Sequence, residues 1–320
     1  MRIYGIDFTC APRRAKPITV AAGFLTKRRL VLENLEGLES FEAFEAFLRR
    51  PGPWIGGFDF PFSLPRELVR DLGWPVKWGE LVGHCAGMTR VAFRNILDLY
   101  RNSRPVGAKY AHRATDRPAG SSSPMKLVNP PVALMFHEGA RRLVAAGVSI
   151  PALLSRDASR VALEAYPGLL ARKQLGIRES YKSDTRREHT PARRAVRQRI
   201  LKALRSGYPL GIRLETTLEK TIVADGSGDA LDAVICAVQA AWAAGQPRYG
   251  LPADVPEGEG WIVSAGFSGT SSYPLARMQK LARRDSSMNR SPNGSPKGEY
   301  GQARKGRPPR SRIIVGPKGR

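Results

Sequence analysis

The chain has 320 residues, 42 % of them hydrophobic, and a formal net charge of +24. That is enough polypeptide for one large or two modest domains with a packed core. No apolar run approaches the roughly 18 residues of a membrane span, and three scattered cysteines, Cys10, Cys85 and Cys236, exclude a disulfide frame or a Cys-x-x-Cys zinc site.

Arg2 to Phe8 reads as a strand ending in Asp7. It carries no secretory leader pattern, so a cytoplasmic location is the expectation. Ile18 to Leu25 and Leu30 to Glu33 are two further strand candidates, separated by the basic turn Thr26-Lys27-Arg28-Arg29. Ser40 caps a helix whose Phe41, Phe44, Phe47 and Leu48 share one face, and Pro51-Gly52-Pro53 ends it. Trp54 to Phe60 is an apolar run suited to the middle of a sheet, and it contains Asp59. Three strands joined by short turns form an antiparallel meander, and a helical crossover returns the fourth strand parallel to one of them.

The middle of the chain is less regular. Leu64 to Leu72 fits a short helix, Gly73 to Gly87 a loop or lid, and Arg113 to Pro124 a polar loop. Val132 to Ala146 is a helix stopped by Gly147, and Ser159 to Tyr166 a strand containing Glu164. Thr190 and Pro191 start a strongly basic helix that runs to Gly207. Ile212 to Leu218 is extended, and Asp229 to Ala244 is the last helix, closed by Gly245. Asp229 and Asp232, three residues apart, share a face with Ala233, Cys236, Ala240 and Ala243. Bulkier Leu231, Val234, Ile235, Val238 and Trp242 fill the opposite face, so this helix is expected to be buried, its small-residue face close against a sheet. From Arg277 onward there are 13 Lys/Arg and two acids, a net +11. Residues 266–320 therefore read as a disordered basic tail after a domain spanning 1–265, with an insertion over about 63–158.

Four segments thus place acids where chemistry concentrates in α/β sheets, near the carboxyl ends of strands and at a helix start: Asp7, Asp59, Glu164, and the pair Asp229 and Asp232. If the first and fourth strands are neighbours, Asp7 and Asp59 lie close together. Like charges that near one another require a cation or a proton between them, and a hard divalent ion bound by oxygen meets that need. Gly226-Ser227-Gly228 before the last helix suggests instead a phosphate-binding helix N-terminus. Asp229 and Asp232 would repel a bare phosphate there.

The runs Gly5-Ile6-Asp7-Phe8-Thr9-Cys10-Ala11-Pro12, Gly57-Phe58-Asp59-Phe60-Pro61-Phe62, Glu164-Ala165-Tyr166-Pro167-Gly168 and Gly228-Asp229-Ala230-Leu231-Asp232-Ala233 resemble family 429 of the domains of unknown function, regarded as predicted nucleases of the ribonuclease H-like fold. The resemblance covers about residues 1–265. It implies an α/β fold of ribonuclease H-like type: a mixed sheet of three antiparallel strands, a helix and then parallel strands, flanked by helices. It also implies Asp7, Asp59, Asp229 and Asp232 as ligands of two Mg²⁺ or Mn²⁺ ions, with Glu164 completing a catalytic set that hydrolyses phosphodiester bonds. Holliday-junction resolvases of the wider fold are similar in these four aspartates, and the chain departs from them in the insertion between Asp59 and Glu164. The implied partner is DNA or RNA; among the chain's own basic residues, Arg113, Arg117, Lys182, Arg193 and Arg194 are the candidates to hold its phosphates. Two rival readings are an actin-like or sugar-kinase-like phosphotransferase or ATPase, in which Phe8 stands where a glycine would admit phosphate, and a non-catalytic nucleic-acid binder.

Overall fold

In the computed structural model, residues 1–267 are described; the basic tail lies outside the described residues from position 268 onward. The chain runs β1 (Arg2–Asp7), β2 (Ile18–Thr26), β3 (Arg29–Leu38), α1 (Phe41–Leu48), β4 (Trp54–Asp59), α2 (Arg66–Asp71), α3 (Trp78–Ala86), α4 (Arg90–Ser103), α5 (Asp116–Ala119), α6 (Val132–Ala146), β5 (Val148–Ser149), β6 (Asp157–Glu164), α7 (Pro191–Ser206), β7 (Arg213–Thr216), α8 (Glu219–Ala224) and α9 (Asp229–Ala244). The seven strands form one mixed sheet in the order β5-β6-β4-β1-β2-β3-β7. β1 pairs antiparallel with β2 and parallel with β4, and β2 pairs antiparallel with β3. The fold is therefore α/β, a meander followed by parallel strands, with helices on both faces. Among the described residues, no helix is long and apolar enough to cross a membrane.

Side chains alternate across a strand, and this sorts the sheet into two cores. Tyr4, Ile6, Phe8, Trp54 and Phe58 face one way and pack with α1 and the helices of the insertion, including Phe93, Leu97 and Phe136. Ile3, Ala21, Ile55, Val161 and Leu163 face the other way, against α7 and α9. Gly5 and Gly57, opposite each other in the β1–β4 register, also lie on the α9 side. A Cβ on Gly5 would come to 1.9 Å from the Ala233 carbonyl oxygen and 2.2 Å from the Ala237 nitrogen. One on Gly57 would come to 2.4 Å from the Cys236 carbonyl oxygen. Thus α9 lies directly on the backbone of the two central strands, which is what the small residues of its inner face permit.

Gly5→Ala cannot be absorbed by a rotamer change, because the colliding atoms are backbone. Overpacking of this kind costs about 3 kcal/mol or more. The expected result is a fall in Tm of roughly 6 °C or more in thermal denaturation; a variant within about 1 °C of the parent would contradict the close strand–helix contact.

Two segments, 73–87 and 113–124, differ from the expectation, and α4 forms where no element was predicted. Residues 73–87 are not a loop throughout: Trp78, Leu81, Val82 and Cys85 follow helical spacing and are buried in α3, a pattern hidden by Gly79 and Gly83. Thr89 caps α4, its side chain accepting from the Ala92 N–H at 3.1 Å, and Phe93, Leu97 and Tyr100 fall on its buried face. The polar run 113–124 includes the short α5 and buries Arg113, Thr115 and Asp116, because its charges are paired internally.

Candidate functional site

Alternation carries Asp7, two residues beyond Gly5, and Asp59, two residues beyond Gly57, onto the α9 face. They are direct register partners at the ends of two parallel strands. From α9, Asp232 lies one turn before Cys236, the residue whose carbonyl sits over Gly57, so it reaches the same strand ends. The three carboxylates each offer an oxygen within 4.8 Å of the others. Asp232 is fully buried.

The electrostatics follow from this crowding. Burial, reinforced by the charge of Asp232, pushes the Asp7 carboxyl well above the usual carboxylate range; Asp229 and Asp59 add to the push and Lys182 opposes it. Asp59 is pushed up to about 7, again by burial first and Asp232 second. Three converging carboxylates cannot all ionise unless cations compensate them. The donor set is all oxygen and anionic, which suits Mg²⁺ or Mn²⁺ rather than a softer metal.

Asp232 is held from a segment that sequence reasoning did not join to the cluster. The Tyr181 hydroxyl donates to its Oδ1 at 2.6 Å, and the Lys182 ammonium pairs with its Oδ2. Buried Arg197, on α7, fixes this segment by donating to the Tyr181 carbonyl at 2.6 Å. No spacing in the sequence ties residues 181 and 182 to α9; only the tertiary structure brings them together.

Asp229 was expected among the metal ligands, but the structure leaves it out of the group of three. Its Oδ1 accepts from the Lys16 ammonium at 2.8 Å, and Lys16 also reaches Asp184 at 2.9 Å. Capping of α9 falls to Asp225, which accepts from the Ala230 N–H at 2.8 Å. That bond occupies one of the helix N-terminal donors a phosphate would need.

Glu164 also stands apart. It is the register partner of Phe58, not of Asp59, so alternation turns it to the opposite face of the sheet. There it accepts from Arg113 at 2.6 and 2.7 Å and from the Phe62 N–H at 3.0 Å. Arg113 was expected to hold phosphate. Its side chain is 1 % exposed and is committed to Glu164, Asp116 and the Glu259 carbonyl, so it presents no donor to a ligand at the surface. Arg117 and Arg194 are exposed, while Arg193 is paired with Glu188 at 2.8 Å.

The chain belongs to the family described as Protein of unknown function (DUF429), whose model matches residues 5–257. All three clustered aspartates lie within the match. No curated protein and no solved structure matches the chain.

Proposed function

We infer that the protein is a metal-dependent nuclease that hydrolyses phosphodiester bonds at the Asp7–Asp59–Asp232 cluster. The observation that carries this reading is the convergence of three carboxylates, from two neighbouring parallel strands and one buried helix, at the carboxyl ends of the strands. The meander followed by parallel strands supports the ribonuclease H-like reading of the fold. So does the central placement of β1 and β4.

Asp7, Asp59 and Asp232 would hold Mg²⁺ or Mn²⁺. When bound, such ions supply an activated water and stabilise the leaving oxygen. The chain's own residues do the rest. The strand ends and α9 fix the carboxylates in place before any ligand arrives, so little reorganisation is needed. The Tyr181 hydroxyl orients Asp232 by hydrogen bonding to one of its two oxygens. Lys182, which pairs with Asp232 from a side chain that solvent reaches, would position the phosphate backbone. Phe8, on the opposite side of β1 from Asp7, is packed among Phe41, Phe44 and Phe60. It leaves no glycine-lined cradle of the kind a phosphotransferase uses after its first strand.

The experiment is direct. Purified protein is incubated with single-stranded, double-stranded, hybrid and branched DNA and RNA, with Mg²⁺ or Mn²⁺ and with a chelator. Cleavage of at least one substrate that stops on chelation is expected. Absence of cleavage across the panel with either metal would overturn the reading.

A further inference from the structure

Both oxygens of Asp232 already have partners, and one of them is a cation of unusual placement. Asp232 is completely buried, whereas the Lys182 side chain that pairs with it is 43 % exposed. The side chain therefore runs from solvent to the carboxylate cluster, its ammonium end desolvated against Asp232. An ammonium has three donors, and the pairing with Asp232 uses one.

Its position is built rather than incidental. The preceding residue is tied down twice, by its hydroxyl on Asp232 and by its carbonyl on Arg197 Nη1. The following residue, Ser183, donates its N–H to the Gly226 carbonyl at 3.2 Å. Between these anchors the Lys182 stem lies on Gly228, at the start of α9. A Cβ there would approach Lys182 Cβ at 2.6 Å and Cδ at 3.1 Å, and Gly228 has a φ of 82° that itself favours glycine. The site thus keeps a bare backbone position under this one lysine.

We propose that Lys182 is a catalytic residue of the inferred nuclease: its ammonium pairs with Asp232 in the ligand-free protein and turns to a non-bridging phosphate oxygen of the bound strand when the carboxylates are taken up by divalent cations. This rests on the nuclease reading. The exchange needs only rotation about the lysine side-chain bonds, since its backbone is held. Positive charge leaves the carboxylate as metal charge arrives, and it reappears where the transition state gains negative charge.

The test uses the full chain with Lys182→Gln and Lys182→Arg. Three quantities are read: Mn²⁺ affinity by titration calorimetry, affinity for labelled DNA and RNA oligonucleotides in Ca²⁺, and kcat on the substrate the parent cuts. Lys182→Gln is expected to bind Mn²⁺ at least as tightly as the parent, because a competing cation has gone. It should bind oligonucleotide several-fold more weakly and lose about 10²-fold in kcat, with Lys182→Arg recovering part of both. Unchanged kcat and oligonucleotide binding alongside tighter Mn²⁺ binding would reduce Lys182 to a neutraliser of Asp232 and overturn the proposal. Weaker Mn²⁺ binding would make it a support for the aspartate, which also overturns it. A parent chain that neither cuts nor binds any oligonucleotide would defeat the nuclease reading itself, a result separable from the first two.

Discussion

Asp7→Asn should abolish metal-dependent cleavage and, at the same time, stabilise the metal-free fold. Asparagine keeps the shape of the side chain but removes the charge at the centre of the cluster. The loss of an oxygen ligand with its charge is expected to lower kcat by about 10³-fold or more, the scale of several kcal/mol of transition-state stabilisation. Stability moves the other way. Asp7 and Asp59 have carboxyl groups raised above the ordinary value on folding, chiefly by burial and then by Asp232. A raised carboxyl binds a proton in the folded state that it releases when unfolded. Its favourable contribution is therefore complete below the unfolded pKa of about 4 and is lost as pH rises through the folded value. For Asp59 that loss is complete only once pH has passed its folded value of about 7.

The metal-free parent should thus lose thermal stability between about pH 4 and pH 8 from these groups. Asp7→Asn should show a flatter profile and a Tm a few degrees higher at pH 8. Added Mn²⁺ at pH 8 should raise the Tm of the parent and do much less for the variant. The same ion should lose its effect on the parent at pH 5, where protons compete for the oxygens. Calorimetric scans with and without the ion check all of this; a variant no more stable than the parent at pH 8 would contradict the crowding of charge.

Arg113→Met should be the most damaging substitution away from the cluster. Arg113 links the insertion to β6 by pairing with Glu164, whose side chain is 3 % exposed, and with Asp116, which is fully buried. Methionine fills much of the volume but leaves two buried acids without their cation. Removing one partner of such a group costs roughly 3–5 kcal/mol, a fall in Tm of about 10 °C. Adding Glu164→Gln should restore part of the loss, since an uncompensated charge then disappears. The double variant is the informative one: if it is no more stable than Arg113→Met alone, the penalty does not come from stranded charge.

The central sheet and the cluster were readable from particular residues. Strand candidates ending near Asp7 and Asp59, a crossover helix capped by Ser40, and two acids at the head of a small-residue helix were enough to place three of the five acids together. Period-two alternation decides the other two, and it needs an exact register. Glu164 looks equivalent to Asp59 in the sequence, yet pairing with Phe58 turns it to the opposite face. Asp229 shares a helical face with Asp232, yet Lys16 from the β1–β2 connection claims it, a contact between residues 213 apart. The pairings of Lys16, Lys182 and Tyr181 with these aspartates escape for the same reason, Lys182 reading in the sequence only as a phosphate contact: nothing local marks a side chain whose partner comes from a distant segment. Arg113 was mistaken for a surface cation because arginine is usually exposed, and only its two acid partners make its burial affordable.

The central claim is that Asp7, Asp59 and Asp232 together hold a divalent cation. Crystals soaked in Mn²⁺ test it most directly through anomalous scattering. The account predicts a peak bonded to oxygens of all three aspartates, at about 2.0–2.2 Å as for hard-cation carboxylate sites, with the Lys182 ammonium moved off Asp232. A saturating soak that leaves this position without a peak, the lysine still paired with Asp232, would contradict it.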